Sequence, residues 1–299
     1  MAQNERLPDF LVIGGMKCAT TTMHQDLSQH PNIDCGRKEL NALTWNRESG
    51  TGSETTQSIY AANFKSARSN QMLGDVSTTY SMTPDYPGVA ERALELLGPN
   101  LKLVFIARNP VLRTISHHQH MMNQADGMGP DINTEINKHP QLVGYSCYAK
   151  QLTSWIESFG IENLCVIRFE DYVSDRSQTV DQVVKFLGLE PHSNNLSDSG
   201  ANRTGEVRVA GSGVSSLIRS RLFQDFARPL IPNRIRELIK PLVLKKTQKA
   251  QIAPTPETIE SIIESVSADH RQFCSMVSWE FPAWDFDKLR NDFAKRINL

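Results

Sequence analysis

The chain is short of several things, and each shortage excludes a class of protein. No apolar run approaches the roughly 18 residues that a membrane-spanning helix needs, so no transmembrane segment is expected. There is no excess of positive charge: the formal net charge is −1 over 299 residues, which argues against general nucleic-acid binding. Cysteine is sparse and odd in number. Cys18, Cys35, Cys147, Cys165 and Cys274 form no close pair with metal or redox spacing. They read as reduced thiols, with Cys147 and Cys165 as small core residues. Repeats and low-complexity tracts are missing. The polar start, Met1 to Arg6, has no signal-peptide pattern, so a cytoplasmic location is expected. What remains is ordinary globular composition, 39% hydrophobic and 22% charged, in a chain long enough for one large α/β domain over 1–299.

The stretch around which the chain is organised is Phe10 to Ser28. Phe10-Leu-Val-Ile13 is a short apolar run bounded by Gly14-Gly15, the pattern of a buried strand. Thr20, Thr21 or Thr22 can then cap a helix whose apolar face carries Met23 and Leu27. A strand, a glycine turn and a helix start make a phosphate site, because first-turn N–H groups are unpaired and the helix dipole favours an anion. Lys17 adds a charge and the threonines add donors. The Walker A pattern is absent, since Lys17 is followed by Cys-Ala-Thr-Thr.

A second stretch has the same character. Leu101 to Ala107 reads as a strand, and Arg108-Asn109-Pro110 leads from it into a helix bearing Ser116, with Pro110 suited to the first helical position. Arg108 therefore stands at the C-terminal end of a strand, where ligands bind in open α/β sheets. A guanidinium with a hydroxyl donor suits a terminal phosphate. His117, His118 and His120 cannot all face one ion, and no acidic partner stands at zinc spacing, so they read as packing or cleft lining and no metal is expected.

Elsewhere, helices are expected over 87–97, 144–159 and 180–187, and after Pro256 with Ile259, Ile262, Ile263 and Val266 on one face. Asn163 to Phe169 reads as a strand, with Glu170 and Asp171 as caps and turn formers. Residues 46–72 and 123–143 read as polar excursions, and the basic run 233–249 as a solvated helical face. Strands alternating with helices define an α/β protein, with a central parallel sheet flanked by helices.

Lys17-Cys18-Ala19-Thr20-Thr21 after a strand, with Arg108-Asn109-Pro110 and Ser116, resembles the two nucleotide motifs of sulfotransferases that use 3′-phosphoadenosine 5′-phosphosulfate (PAPS). The likeness is to the heparan-sulfate and bacterial carbohydrate type. It implies a P-loop-like sulfotransferase fold and an enzyme that moves a sulfuryl group from PAPS to a hydroxyl or amine, leaving adenosine 3′,5′-bisphosphate (PAP) without a metal. By resemblance, Lys17, Cys18, Ala19, Thr20, Thr21 and Thr22 hold the 5′-phosphosulfate, and Arg108 and Ser116 the 3′-phosphate. Arg203 and Arg208 are further candidate ligands on a late polar segment.

Lys38-Glu39-Leu40-Asn41-Ala42-Leu43 stands where the family has Lys-Glu-x-His-Phe-Phe, which makes Glu39 the general base. Gly74-Asp75-Val76-Ser77-Thr78-Thr79-Tyr80 matches a family segment at Ser77 and Tyr80, with Val76 in place of a lysine. Ala19 replaces a usual glycine, so its backbone has negative φ or is strained. Tyr145 and Tyr148 either border the acceptor or pack in the core. The implied acceptor is a carbohydrate or a small secondary metabolite. An ATP-dependent small-molecule kinase and a non-catalytic PAP-binding module are the alternatives.

Overall fold

The computed structural model describes residues 6–44, 55–124, 127–193, 196, 209–210, 244–245 and 251–297. The chain divides into two compact units: Met1–Thr114, Pro140–Ala201 and Pro256–Leu299 form the first, and Ile115–His139 with Asn202–Thr255 the second.

The first unit is built on five parallel strands in the order β2-β3-β1-β4-β5. They are β1 (Phe10–Gly14), β2 (Ile33–Asp34), β3 (Met72–Val76), β4 (Lys102–Ala107) and β5 (Leu164–Arg168). β1 lies in the middle and all five of its residues are buried, as expected of a parallel strand covered on both faces. Its side chains alternate. Leu11 and Ile13 join one hydrophobic cluster with Trp155 and Phe273, while Phe10 and Val12 join the other with Met23, Val183 and Val184.

Helices cover both faces. α1 (Thr20–Leu27), α8 (Phe169–Ser174) and α9 (Arg176–Phe186) contribute to the second cluster. α3 (Val89–Leu97), α7 (Tyr148–Phe159) and α10 (Pro256–Met276) contribute to the first. Ile259, Ile262, Ile263 and Val266 of α10 are buried at helical spacing, as the sequence pattern required. A final helix, α11 (Phe286–Ile297), follows.

Three expectations are corrected. The described part of 46–72 is not all loop: α2 (Thr56–Asn63) is there, started by a reciprocal capping box of Thr55 and Ser58. The stretch 123–143 contains α5 (Ile132–Lys138), capped by Asp131. The helix expected over 144–159 is broken, with a short α6 (Gln141–Gly144) and then α7 from Tyr148, so Tyr145 to Cys147 form the connection. There, Ser146 Oγ is drawn off to the carbonyl of Pro110 at 2.9 Å. Cys165 is buried as expected, while Cys147 is only partly so.

In the second unit, the later part of α4 (Pro110–Met122) and α5 accompany a two-stranded antiparallel ribbon, β6 (Val209–Ala210) with β7 (Leu244–Lys245). His118 is fixed here between Gly129 O at 3.0 Å and Gln251 Nε2 at 2.8 Å. His117 is also buried, while His120 is part-exposed. Arg203 and Arg208 lie outside the described residues, as does the basic run 233–249 apart from Leu244–Lys245.

Candidate active site

In an all-parallel sheet every strand ends at the same edge, so the segments that leave the strands gather there. The Gly14–Ala19 turn follows β1, the Lys38–Leu43 turn follows β2, Ser77–Thr78 follows β3 and Arg108 follows β4.

The β1 turn needs its glycines for space. A Cβ on Gly14 would lie 2.3 Å from Ser81 Oγ and 2.9 Å from the Phe105 ring. The N–H of Gly15 donates to Ile106 O at 2.8 Å, tying the turn to β4. α1 starts at Thr20, but no threonine hydroxyl caps it. The capping position is Ala19, in a left-handed conformation with φ 64° and ψ 24°. Thr20 to Thr22 instead occupy the first helical turn, whose N–H groups have no intrahelical acceptor. Of the two outcomes allowed for Ala19, the strained one holds. Lys17 has φ 68° as well, and each left-handed L-residue costs about 1–2 kcal/mol. Two such residues in three place strain where an anion site is expected, a common feature of functional loops.

Arg108 is bound to this turn. Its Nη1 donates to Lys17 O at 3.1 Å, and its guanidinium lies over the Phe169 ring, 4.6 Å from the centroid. Tyr148 Oη donates to Arg108 O at 2.7 Å and accepts from Arg108 N at 3.2 Å. Tyr148 is thus a core residue that fixes the Arg108 backbone, and the core alternative is the one realised. Tyr145 is half-buried and donates to Asp85. Asn109 caps α4 by accepting from Val111 N at 3.1 Å and Leu112 N at 3.2 Å, and Pro110 opens the helix as expected. Ser116, on the same helix, falls in the second unit.

Burial, and next the Arg108 charge, hold the Lys17 ammonium below its ordinary pKa. Burial pushes the neighbouring Cys18 thiol up to about 11, so it is a thiol at neutral pH. The buried Nε of Arg108 has no hydrogen-bond partner among the described residues. Two cations facing one turn, with a buried donor to spare, fit a polyanionic ligand.

Glu39 stands on the next turn, also left-handed, with φ 56°. Its carboxylate accepts from Thr78 N at 3.0 Å, from Thr78 Oγ1 at 3.1 and 3.2 Å, and from Lys38 Nζ. Its side chain is still 36% exposed, so it is oriented yet reachable. Val76, where the resembling family has a lysine, is buried in the core.

Two contributors escaped the sequence reading. Glu170 is more than a turn former: its carboxylate accepts from Asn109 N at 3.0 Å and Trp284 Nε1 at 2.9 Å, supporting the Arg108 junction. Asp75 gathers three hydroxyls under the Glu39 turn. The pairing of Ala107 with Arg168 puts the residues after β5 beside those after β4, but strand order was needed to see it.

A parallel sheet whose central strand runs through a strained glycine turn into a helix start, with Lys17 and Arg108 at that turn, defines an anion-binding α/β protein of the P-loop-like kind. A sequence profile of the sulfotransferase family matches residues 8–193, more than half of the chain, and the chain belongs to that family. Heparan sulfate glucosamine 3-O-sulfotransferase 6 of Homo sapiens is 24% identical over 193 residues, covering 62% of this chain and 53% of its own length. Bifunctional heparan sulfate N-deacetylase/N-sulfotransferase 4 of Mus musculus is 26% identical over 212 residues, covering 64% of this chain and 23% of its own. The chain spans about half, or less, of the length of these relatives.

Among solved structures, a sulfotransferase from Alicyclobacillus acidocaldarius superposes with a TM-score of 0.64 at 20% identity, over 93% of this chain and 99% of that one. A sulfotransferase domain from the curacin biosynthetic pathway gives 0.55 at 20% identity, over 93% and 100%. These two likenesses bear on the fold.

Proposed function

We propose that the chain, as one domain over 1–299, transfers a sulfuryl group from PAPS to a hydroxyl or amine of a carbohydrate or small-molecule acceptor. The observation that carries this reading is the joining of two cation-bearing strand ends: Arg108 Nη1 donates to the carbonyl of Lys17 itself. When bound, PAPS supplies an activated sulfuryl group on its 5′-phosphate and a separate 3′-phosphate to grip, and it leaves as PAP. In this reading Lys17 and the first-turn amides of Thr20, Thr21 and Thr22 receive the 5′-phosphate, with Cys18 and Ala19 shaping the turn. Arg108 takes the 3′-phosphate, an assignment that rests on the motif.

Lys17 neutralises charge on the oxygen that bridges to sulfur as that bond breaks. Glu39 accepts the proton from the acceptor as its oxygen or nitrogen bonds to sulfur. Buried Thr78 and half-buried Lys38 hold the Glu39 carboxylate in one aim, which is what a base needs.

The names of the relatives, a heparan sulfate glucosamine 3-O-sulfotransferase and a heparan sulfate N-deacetylase/N-sulfotransferase, support a carbohydrate acceptor. A small-molecule acceptor stands beside it because Asn41-Ala42-Leu43 departs from the family's acceptor-side His-Phe-Phe. A kinase reading has less behind it, because the family profile and the missing Walker lysine–serine pair both point away from it. Substitution Glu39→Gln tests the assignment. Turnover with PAPS is expected to fall by on the order of 10²–10⁴, while PAP affinity measured by calorimetry stays within twofold. Near-parental turnover would remove Glu39 as the base.

A further inference from the structure

Glu39 and Asn41 both have φ of 56°, bracketing a single residue. Non-glycine residues persist in that region only where their surroundings over-determine them. The surroundings here are the end of β3. It receives alternate amides of the turn: Glu39 N–H donates to Val76 O at 2.9 Å, Asn41 N–H to Ser77 Oγ at 3.0 Å and Leu43 N–H to Tyr80 Oη at 3.4 Å.

Two of those three acceptors are hydroxyls, which can turn either way. Asp75 stops them turning. It is 1% exposed, and its Oδ1 accepts from Ser77 Oγ at 2.7 Å while Oδ2 accepts from Tyr80 Oη and from Tyr60 Oη at 3.0 Å. With their hydrogens committed to the carboxylate, Ser77 and Tyr80 present lone pairs to the turn. Burial, with the Glu39 charge adding to it, pushes the Asp75 carboxyl above the ordinary aspartate range against the pull of its hydroxyl donors.

We infer that Asp75 is a positioning residue for the transfer: through Ser77 and Tyr80 it fixes the polarity of the hydrogen bonds that hold the Glu39–Leu43 turn, and so the aim of the Glu39 carboxylate. The inference rests on the reading of Glu39 as the base. Asp75 is buried, and its carboxylate accepts from the hydroxyls of Tyr60, Ser77 and Tyr80. Its influence is on geometry and passes through the amides of Asn41 and Leu43.

The test combines kinetics with amide exchange on the full chain. In Asp75→Asn an amide NH₂ replaces one acceptor oxygen and one hydroxyl must reverse. Exchange of the Asn41 and Leu43 amides is expected to speed at least tenfold, and kcat to fall at least tenfold. KM for PAPS and the dissociation constant of PAP are expected to stay within twofold. Ser77→Ala repeats the effect at Asn41, and Ser77→Thr, which returns the hydroxyl, recovers most of the lost turnover.

Should Asp75→Asn fail to fold, Tyr80→Phe removes a single oxygen and carries the same expectations at Leu43. Unchanged exchange in these variants overturns the inference, as does faster exchange with kcat within twofold of the parent. Glu39→Gln run in parallel separates the two readings. If it turns over normally the base assignment fails, and exchange alone then decides whether Asp75 holds the turn.

Discussion

At the scale of single residues, the informative positions are those whose environment contradicts their chemistry. Ala19 takes a backbone that suits glycine, and the sequence disclosed this as a choice between two conformations once the motif was aligned. His270 was not legible at all. It sits among the apolar positions of α10 and is 3% exposed. Among the described residues neither ring nitrogen has a hydrogen-bond partner. The rings of Phe281, Trp284 and Phe286 surround it with centroids at 5.2 Å. Burial, and next the charge of Arg271, lower its pKa from 6.5 to about 4.

The fold therefore prefers the neutral ring. Below pH 6.5 the unfolded chain takes up a proton that the folded chain refuses until about pH 4. Between those values the unfolded state binds more protons, so stability falls as pH drops, by roughly 3 kcal/mol over the whole window. His270→Phe keeps an aromatic ring and removes the titration. Urea unfolding of parent and variant at pH 7.5 and 5 is expected to show the parent losing stability that the variant retains. Equal losses in both would assign the pH dependence elsewhere.

At the scale of elements, legibility followed the length of the pattern. β1, β4 and β5 are apolar runs of five or six residues bounded by turn formers, and each was read from sequence. β2 has two residues and no period to detect. α2 and α5 are polar helices whose existence depends on caps, Thr55 with Ser58 and Asp131, rather than on an apolar stripe. α1 and α9 were legible as helices, but not the clamp between them. Asp26 of α1 is buried and receives Arg176 through Nε at 2.9 Å and Nη2 at 2.5 Å, with Tyr172 Oη at 2.5 Å. An aspartate within a helix and an arginine 150 positions later carry no mutual signal in one sequence.

Because the carboxylate is desolvated, removing one partner strands the other. Asp26→Ala is expected to destabilise by about 3–5 kcal/mol. Asp26→Leu with Arg176→Met removes both charges and is expected to cost less than the single change, a non-additivity that double-mutant unfolding curves measure directly. A double variant as unstable as the sum of its parts would mean that the clamp is not a coupled pair. α1 carries the helix start of the β1 turn, so this clamp also sets how rigidly the proposed phosphate site is held.

At the scale of the whole molecule, the order β2-β3-β1-β4-β5 explains why sites distant in sequence can serve one ligand. Local patterns singled out the glycine turn after β1 and the Arg108 junction separately. Only parallel pairing of β1 with β4 makes them neighbours, and that pairing is set by long-range packing. The consequence is a requirement on the ligand. Lys17, held below its ordinary pKa by burial and by Arg108, is a cation whose field is unfavourable until an anion arrives. A nucleotide with phosphates at both ends should therefore stabilise the protein more than one with a single phosphate. PAP at a hundred times its dissociation constant is expected to add about 2.7 kcal/mol, visible as a rise of several degrees in melting temperature, without added magnesium. At the same concentration 5′-AMP should give much less. Arg108→Ala is expected to weaken PAP at least tenfold, since a charge-assisted hydrogen bond contributes about 1.5–3 kcal/mol, while leaving the weaker AMP response in place. Equal shifts with PAP and AMP in the parent would mean that Arg108 grips no ribose phosphate, and a larger shift with magnesium–ATP would return the chain to the kinase reading.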